Sequence, residues 1–255
     1  MSSQRTTSVA SRQLFLWILC ISIALALLVA LVNSVRTARR AAITSESKSP
    51  LNQLQVALLT YHDVHGHFPQ AFIADEDGTR MHSWRVLILP YIEESALFDA
   101  YDFTEPWNGP NNSKLANQMP SIFGSPSEDK SKTFTNIVAI TGPGTAFPGS
   151  KSTSLKDFVD GADNTILLTE ITNSNVPWLQ PRDIDTRESP FTANDPEILS
   201  MSSVPWRRPY IVFADSILTY AVQDNIPPEA LRALTTIAGR ESITRSKLIS
   251  QGYLE

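Results

Sequence analysis

The sequence predicts an α+β chain, with an N-terminal transmembrane helix followed by a head of helices and an antiparallel β-sheet. Three observations predict it. A nineteen-residue apolar run from Leu14 to Val32 carries no charge. Helical periodicity dominates from residue 50 to about residue 101. After that come short runs rich in β-branched residues, bounded by Gly, Pro, Asp and Asn. Helices early, strands late and no βαβ alternation point to an antiparallel sheet.

The apolar run has Ser22 as its only conventionally polar residue. At about 1.5 Å per residue it is roughly 28 Å long, close to the hydrocarbon core of a bilayer. The rival is a cleaved signal peptide, whose apolar core runs about 7–15 residues and ends at a small-x-small site. Here Asn33-Ser34-Val35-Arg36 follows, with Arg39 and Arg40 beyond, which favours an uncleaved anchor. Arg5 and Arg12 on one side face Arg36, Arg39 and Arg40 on the other, so loop charge hardly selects an orientation. Cys20, the only cysteine, lies within the span as a small packing residue, which excludes an internal disulfide framework, a cysteine zinc cluster and an iron–sulfur site.

Val35 to Lys48 reads as a basic stalk that continues the helix until Ser49-Pro50, an N-cap and first-turn signal, starts a second one. From Leu51, residues Leu54, Leu58, Tyr61, His62 and His65 fall on one stripe of about 100°, with Asn52, Gln53, Gln55 and Thr60 outside it. Gly66 fits the helix stop. Ser83 opens another helical stretch through Trp84, Leu87, Ile88, Tyr91 and Ile92, interrupted at Pro90 and continued to Tyr101. Thr133–Ile140 and Thr165–Ile171 read as strands, and Tyr210–Ala214 with Ile217–Val222 as a hairpin. Pro227-Pro228-Glu229 starts a helix carrying Leu231, Leu234 and Ile237, closed by Gly239. Residues 183–208, rich in Pro, Ser and Asp, read as an insertion or mobile loop. The divisions are therefore a tail (1–12), an anchor (13–33), a stalk (34–49) and a head (50–255).

With 42% hydrophobic and 18% charged residues the chain can bury a core. Its formal charge of −5 hides an asymmetry. Five arginines and no acid occupy the first forty residues, leaving sixteen bases against all twenty-six acids, or −10, in the remainder. Such a body repels phosphates, so no nucleic-acid partner is expected.

Candidate chemistry is sparse. His62 and His65, at i and i+3, with His67 just beyond, form a conceivable zinc pair that Asp63 or Asp77 would complete. Both lie on the apolar stripe, however, where a neutral histidine donating to a carbonyl is commoner, and no zinc-hydrolase spacing is present, so no metal is expected. Asp75-Glu76-Asp77-Gly78 and Asp160-Gly161-Ala162-Asp163-Asn164 have the oxygen density of calcium loops but lack EF-hand spacing and read as turns. There is no Gly-x-Ser-x-Gly elbow, and Gly142-Pro143-Gly144 lacks a phosphate-loop ending. No cofactor and no enzymatic activity are expected. Trp107, Trp178 and Trp206, each beside a proline, are the candidate ligand or partner surface, whereas Trp84 on its helical stripe reads as core.

Several phrases occur in a telling order. Leu51-Asn52-Gln53-Leu54 leads to Tyr61-His62-Asp63 and Gly66-His67-Phe68-Pro69. Ser83-Trp84-Arg85 follows, then Glu105-Pro106-Trp107-Asn108, Asp160-Gly161 to Asn164 and Glu170, and Val176-Pro177-Trp178 to Pro181-Arg182-Asp183. Val212-Phe213-Ala214-Asp215 and Leu231-Arg232-Ala233-Leu234 to Gly239-Arg240-Glu241 complete the series. From about residue 34 to 250 the chain resembles the prepilin-like family catalogued as domain of unknown function fifteen fifty-nine, also labelled solute-binding-protein-like. The resemblance implies a pseudopilin-like head outside the cytoplasm on a single-pass anchor in the cytoplasmic membrane, with envelope proteins or other copies as partners. It implies a structural or protein-interaction role; the alternative is a ligand-binding module, carbohydrate being the candidate ligand. His62, Asp63, Gly66, Pro69, Trp84, Asp160, Gly161, Asn164 and Asp215 are the family-phrase residues, expected to be structural. The prepilin leader departs from the family: Ser11-Arg12-Gln13-Leu14-Phe15-Leu16 stands where a Gly-Phe cleavage site and a following Glu belong, and no acid precedes Glu46. Gly124-Ser125 stands where Cys commonly precedes Pro-Ser, and Asp215-Ser216 where Asp-Gly is common.

Overall fold

A computed structural model describes residues 3–124, 133–172, 174–194, 199–203, 208–215 and 218–255. The chain divides into two compact units, Met1–Ser45 and Glu46–Glu255. Helix α1 spans Ser3–His65, 63 residues. Within it Ile21–Ala38 is, among the described residues, the one helical stretch long and apolar enough to cross a membrane by length and composition, and none of it is buried. A single-pass anchor and a signal sequence share this character.

The second helix expected to start at Ser49-Pro50 does not form separately, because Pro50 lies inside α1. An interior proline removes its own N–H from the ladder and crowds the carbonyl four residues back, which strains a helix without always ending it. No glycine occurs before Gly66, and Arg39, Arg40, Ala41 and Ala42 are strong helix formers, so no chain break is encoded upstream. Leu51, Leu54 and Leu58 are buried, as the stripe predicts, and Ala57, beside the stripe, is buried too. Gln55 corrects it: expected on the polar side, it is fully buried, and its carboxamide donates to the Phe213 carbonyl. Asn52 accepts from the Thr219 hydroxyl, so the helix is gripped over a wider arc than its apolar stripe. Gly66, at φ +78°, ends α1 with its amide on the His62 carbonyl at 2.7 Å.

Strands β1 (Phe72–Ala74) and β2 (Arg80–Ser83) form an antiparallel hairpin that the sequence reading missed. Its turn is the acidic Asp75–Gly78 segment, in which the Asp75 carboxylate accepts from the amides of Asp77 and Thr79. Ser83 then caps α2 (Trp84–Leu87), a 3₁₀ turn covers Leu89–Ile92, and Glu93 at φ 66° stops it before α3 (Ser95–Ala100).

The main sheet joins β3 (Ile137–Thr141), β4 (Ile166–Glu170), β5 (Ile184–Asp185), β6 (Tyr210–Phe213) and β7 (Thr219–Ala221) in the order β5-β3-β4-β6-β7. Three pairings are antiparallel as predicted; the β3–β5 pairing is parallel. Both faces are covered, which is why the strands read as continuous apolar runs. Ile137, Ala139, Tyr210 and Val212 join the cluster containing Leu54, Leu58, Trp84 and Phe147. Val138, Ile140, Ile211 and Phe213 join a second cluster with Phe191, Met201, Leu231 and Leu248. The 183–208 stretch, expected to be an insertion or mobile loop, thus supplies β5 and two core residues, Phe191 and Met201. Its remaining unpredicted content lies partly outside the described residues.

Helix α4 (Pro228–Ala233) begins where expected but stops well before Gly239, since the Ile237 amide leaves to pair with the Gly144 carbonyl. Helix α5 (Arg245–Ser250), capped by Thr244, was not predicted. The last residues return to the sheet: Ala221 and Glu255 exchange both backbone hydrogen bonds, and the Gln223 amide reaches Tyr253.

Candidate functional site

A buried ion pair joins two distant phrases. Arg85 lies in α2, directly after β2, and Asp183 directly precedes β5. Arg85 Nη2 donates to Asp183 Oδ1 at 2.7 Å, and both side chains are shut off from water. The same oxygen accepts from Trp84 Nε1 at 3.1 Å and from the Ala139 amide at 2.9 Å. Arg85 also donates to the Ile137 carbonyl and the Ser83 hydroxyl. Burial pushes the Asp183 carboxyl up and the Arg85 guanidinium down, each against the other's attraction. Three N–H donors on one oxygen favour the carboxylate, and the pair is ionised. Its structural effect is to fix β5 against β3 and the α2 start.

Fixing Asp183 places its neighbours on the wall of a cavity of about 560 Å³, lined by Arg80, Trp107, Gln180, Arg182, Asp185 and Glu188, with Asp183, Pro181, Ser189 and Leu199 completing it. Arg80 comes from β2, its guanidinium 4.5 Å from the Phe72 ring centroid, 3.4 Å from the Pro181 carbonyl and 3.9 Å from Asp185. Asp185 is taken mainly by Arg187, whose hydrogen bonds hold its carboxyl below the usual range. Trp107 is half-buried, its amide on the Met81 carbonyl at 2.9 Å. The loop behind it is stiffened by Glu105, which accepts from the amides of Asn111 and Asn112, and by the buried Asn112 side chain, which donates to the carbonyls of Asp102 and Pro106. The side chains of Trp107, Gln180, Arg182 and Glu188 make no hydrogen bond among the described residues, which leaves donors and acceptors of both signs open to the cavity.

The three candidate tryptophans separate. Trp107 lines the cavity. Trp178 is corrected from ligand surface to core: it is fully buried, stacked on Phe123 at 6.0 Å, with Nε1 on the Ala116 carbonyl. Its neighbour Pro177 bridges Phe134, and its own amide pairs with Thr133, which draws the indole inward. Trp206 lies outside the described residues. Trp84 is core, as expected.

His62 accepts from the Leu155 amide at Nε2 (3.2 Å), with the Ser154 hydroxyl at 3.3 Å, so it anchors the end of α1 to that loop by accepting where donation to a carbonyl was expected. Its accepting nitrogen is thereby occupied. His65 meets the Tyr91 hydroxyl at 2.8 Å, and His67 Nδ1 meets the Phe68 carbonyl at 2.9 Å. Asp63 is exposed, its carboxylate 3.8 Å from His62 Nδ1. Among the described residues no group of three His, Cys, Asp or Glu side chains is placed to hold a metal ion.

The remaining family-phrase residues close loops. Pro69 is buried behind the end of α1. Asp160 accepts from the amides of Gly239 (2.6 Å) and Arg240 (2.9 Å), and Asn164 accepts from the Arg245 amide (2.8 Å). Asp215 takes both Arg245 guanidinium nitrogens at 2.7 and 2.8 Å. Gly161 sits at φ +94°, where a Cβ would lie 2.4 Å from the Asp163 carboxylate, so the tight turn admits glycine alone. Together they pin residues 239–245. Sequence reasoning missed Arg80, Gln180, Arg182 and Glu188 as cavity residues. The available signal was Arg85, a charge beside Trp84 in a stretch otherwise read as apolar, which demands a buried partner.

Residues 36–194, more than half of the chain, match the family model described as protein of unknown function (DUF1559), SBP_bac_10. Neither a curated protein nor a solved structure matches the chain.

Proposed function

Since the chain belongs to the DUF1559 family, we propose that it is a pseudopilin-like, membrane-anchored protein with its head outside the cytoplasm and a structural or protein-interaction role at the cell envelope, without catalysis of its own. The observation that carries this reading is α1. One helix contains both the exposed apolar stretch Ile21–Ala38 and the buried Leu51, Leu54 and Leu58, so the element that enters the membrane is also a core strut of the head. The family-phrase polar residues support a non-enzymatic reading, because Asp160, Asn164 and Asp215 are spent on holding loops. Entry into a filament has less support, since the leader lacks the Gly-Phe site and the following Glu.

The test is protease accessibility of the head in cells with a permeabilised outer envelope, read beside the mass of the membrane-bound chain. Digestion of a head that carried full-length mass before protease is the expected result. Complete protection, with the cytoplasmic membrane shown intact, puts the head in the cytosol and overturns the proposal.

A further inference from the structure

We propose that the cavity beside β5 is a binding site for an acidic saccharide, a short oligouronate. Its volume of about 560 Å³ lies within the roughly 300–1,000 Å³ of small-molecule sites. The lining is what a sugar chain needs. Half-buried Trp107 offers an apolar ring with a polar N–H for a pyranose. Gln180 and Glu188 supply planar donors and acceptors for hydroxyls. Apart from the Trp107 ring, an apolar peptide side chain would find Pro181 and Leu199 in a lining that is otherwise polar or charged.

Charge assigns the acidic class. The carboxylates of Asp183 and Asp185 are neutralised by Arg85 and Arg187. Arg80, 3.9 Å from the Asp185 that Arg187 already holds, and Arg182 are then set against one further carboxylate of the lining, Glu188, which leaves the cavity net cationic within a head that is acidic overall. A guanidinium fork that has no partner among the described residues, as at Arg182, matches a carboxylate in a bidentate geometry. A polyphosphate packs its charge more densely than a uronate chain and so meets Glu188 and the surrounding negative field at greater cost. The buried Arg85–Asp183 pair fixes the backbone that carries Arg182, so that only its side chain is left to be ordered on binding. This inference is independent of the head's location and of any assembly role.

The experiment is calorimetric titration of the full-length protein in phospholipid nanodiscs, with tri-galacturonate and tri-mannuronate as probes and maltotriose as the neutral control. Saturable binding of at least one oligouronate is expected, weakened about tenfold or more in Arg182→Gln and in Trp107→Ala. Arg182 is exposed and makes no side-chain hydrogen bond among the described residues, so Arg182→Gln should melt as the parent does, which separates lost binding from lost folding. Failure of both oligouronates to bind overturns the proposal, as does binding that both substitutions leave unchanged. Maltotriose binding as tightly as the oligouronates overturns the acidic assignment.

Discussion

Two arginine–aspartate pairs link β2 and its continuation to β5, and they behave oppositely. Arg85 and Asp183 are excluded from water, 2.7 Å apart, and every contact around them is internal. Arg80 and Asp185, only a few residues away in each strand, stand 3.9 Å apart; Arg80 is 40% exposed and Asp185 prefers Arg187. The same residue types thus lock the fold in one place and leave a cation on a cavity wall in the other. Burial decides between these roles, because a charge without water must have a partner and a charge in water need not.

The largest effect is expected at the locked pair. Asp183→Ala leaves a guanidinium in the core and should cost about 3–5 kcal/mol in urea unfolding, while Arg85→Met combined with Asp183→Leu should recover most of it. A loss near zero for Asp183→Ala would show that β5 is held by something else. Arg245 with Asp215 is the intermediate case, paired through two hydrogen bonds but partly exposed. Arg245→Gln should cost about 1 kcal/mol by the same measurement, and a value matching the buried pair would break the burial rule.

His82, on β2 between the two arginines, adds a pH readout. Burial lowers its pKa, against the opposing effects of the Phe103 backbone and Asp102. The unfolded chain therefore takes up the proton first. The contribution is present above about pH 6.5 and is lost as pH falls through the lower folded value. Urea midpoints should decline between about pH 7 and 5, and His82→Gln should flatten that slope. Arg80→Gln should be the smallest, within about 0.5 kcal/mol of the parent.

Local patterns were legible where the local residues decide the outcome. The apolar run, the α1 stop at Gly66, and β4, β6 and β7 all follow from periodicity or β-branching. What failed was decided at a distance. Pro50 carries a helix-start signal, but nothing upstream of it breaks the helix. Gln55 reads as a surface residue until the Phe213 carbonyl, 158 residues away, is packed against it. Pro106-Trp107 and Pro177-Trp178 are the same phrase to a sequence reader. Only the pairing of Pro177 with Phe134 turns the second indole into core, while Met81 holds the first beside the cavity. The cavity itself required Asp183 to find Arg85 across 98 residues.

The return of the chain to β7 bears on how copies of this head can meet. An unpaired strand at a sheet border is a template onto which another chain can add, and proteins that avoid runaway stacking cap or shorten such borders. Here Tyr253 to Glu255 occupy the backbone groups beside β7, and the opposite border, β5, is only two residues long, both of them buried. Neither border of this sheet, among the described residues, offers a ladder for a neighbouring strand. Contacts between heads at this sheet must then be made by side-chain surfaces, which lowers the risk of strand-to-strand polymerisation through either of its borders.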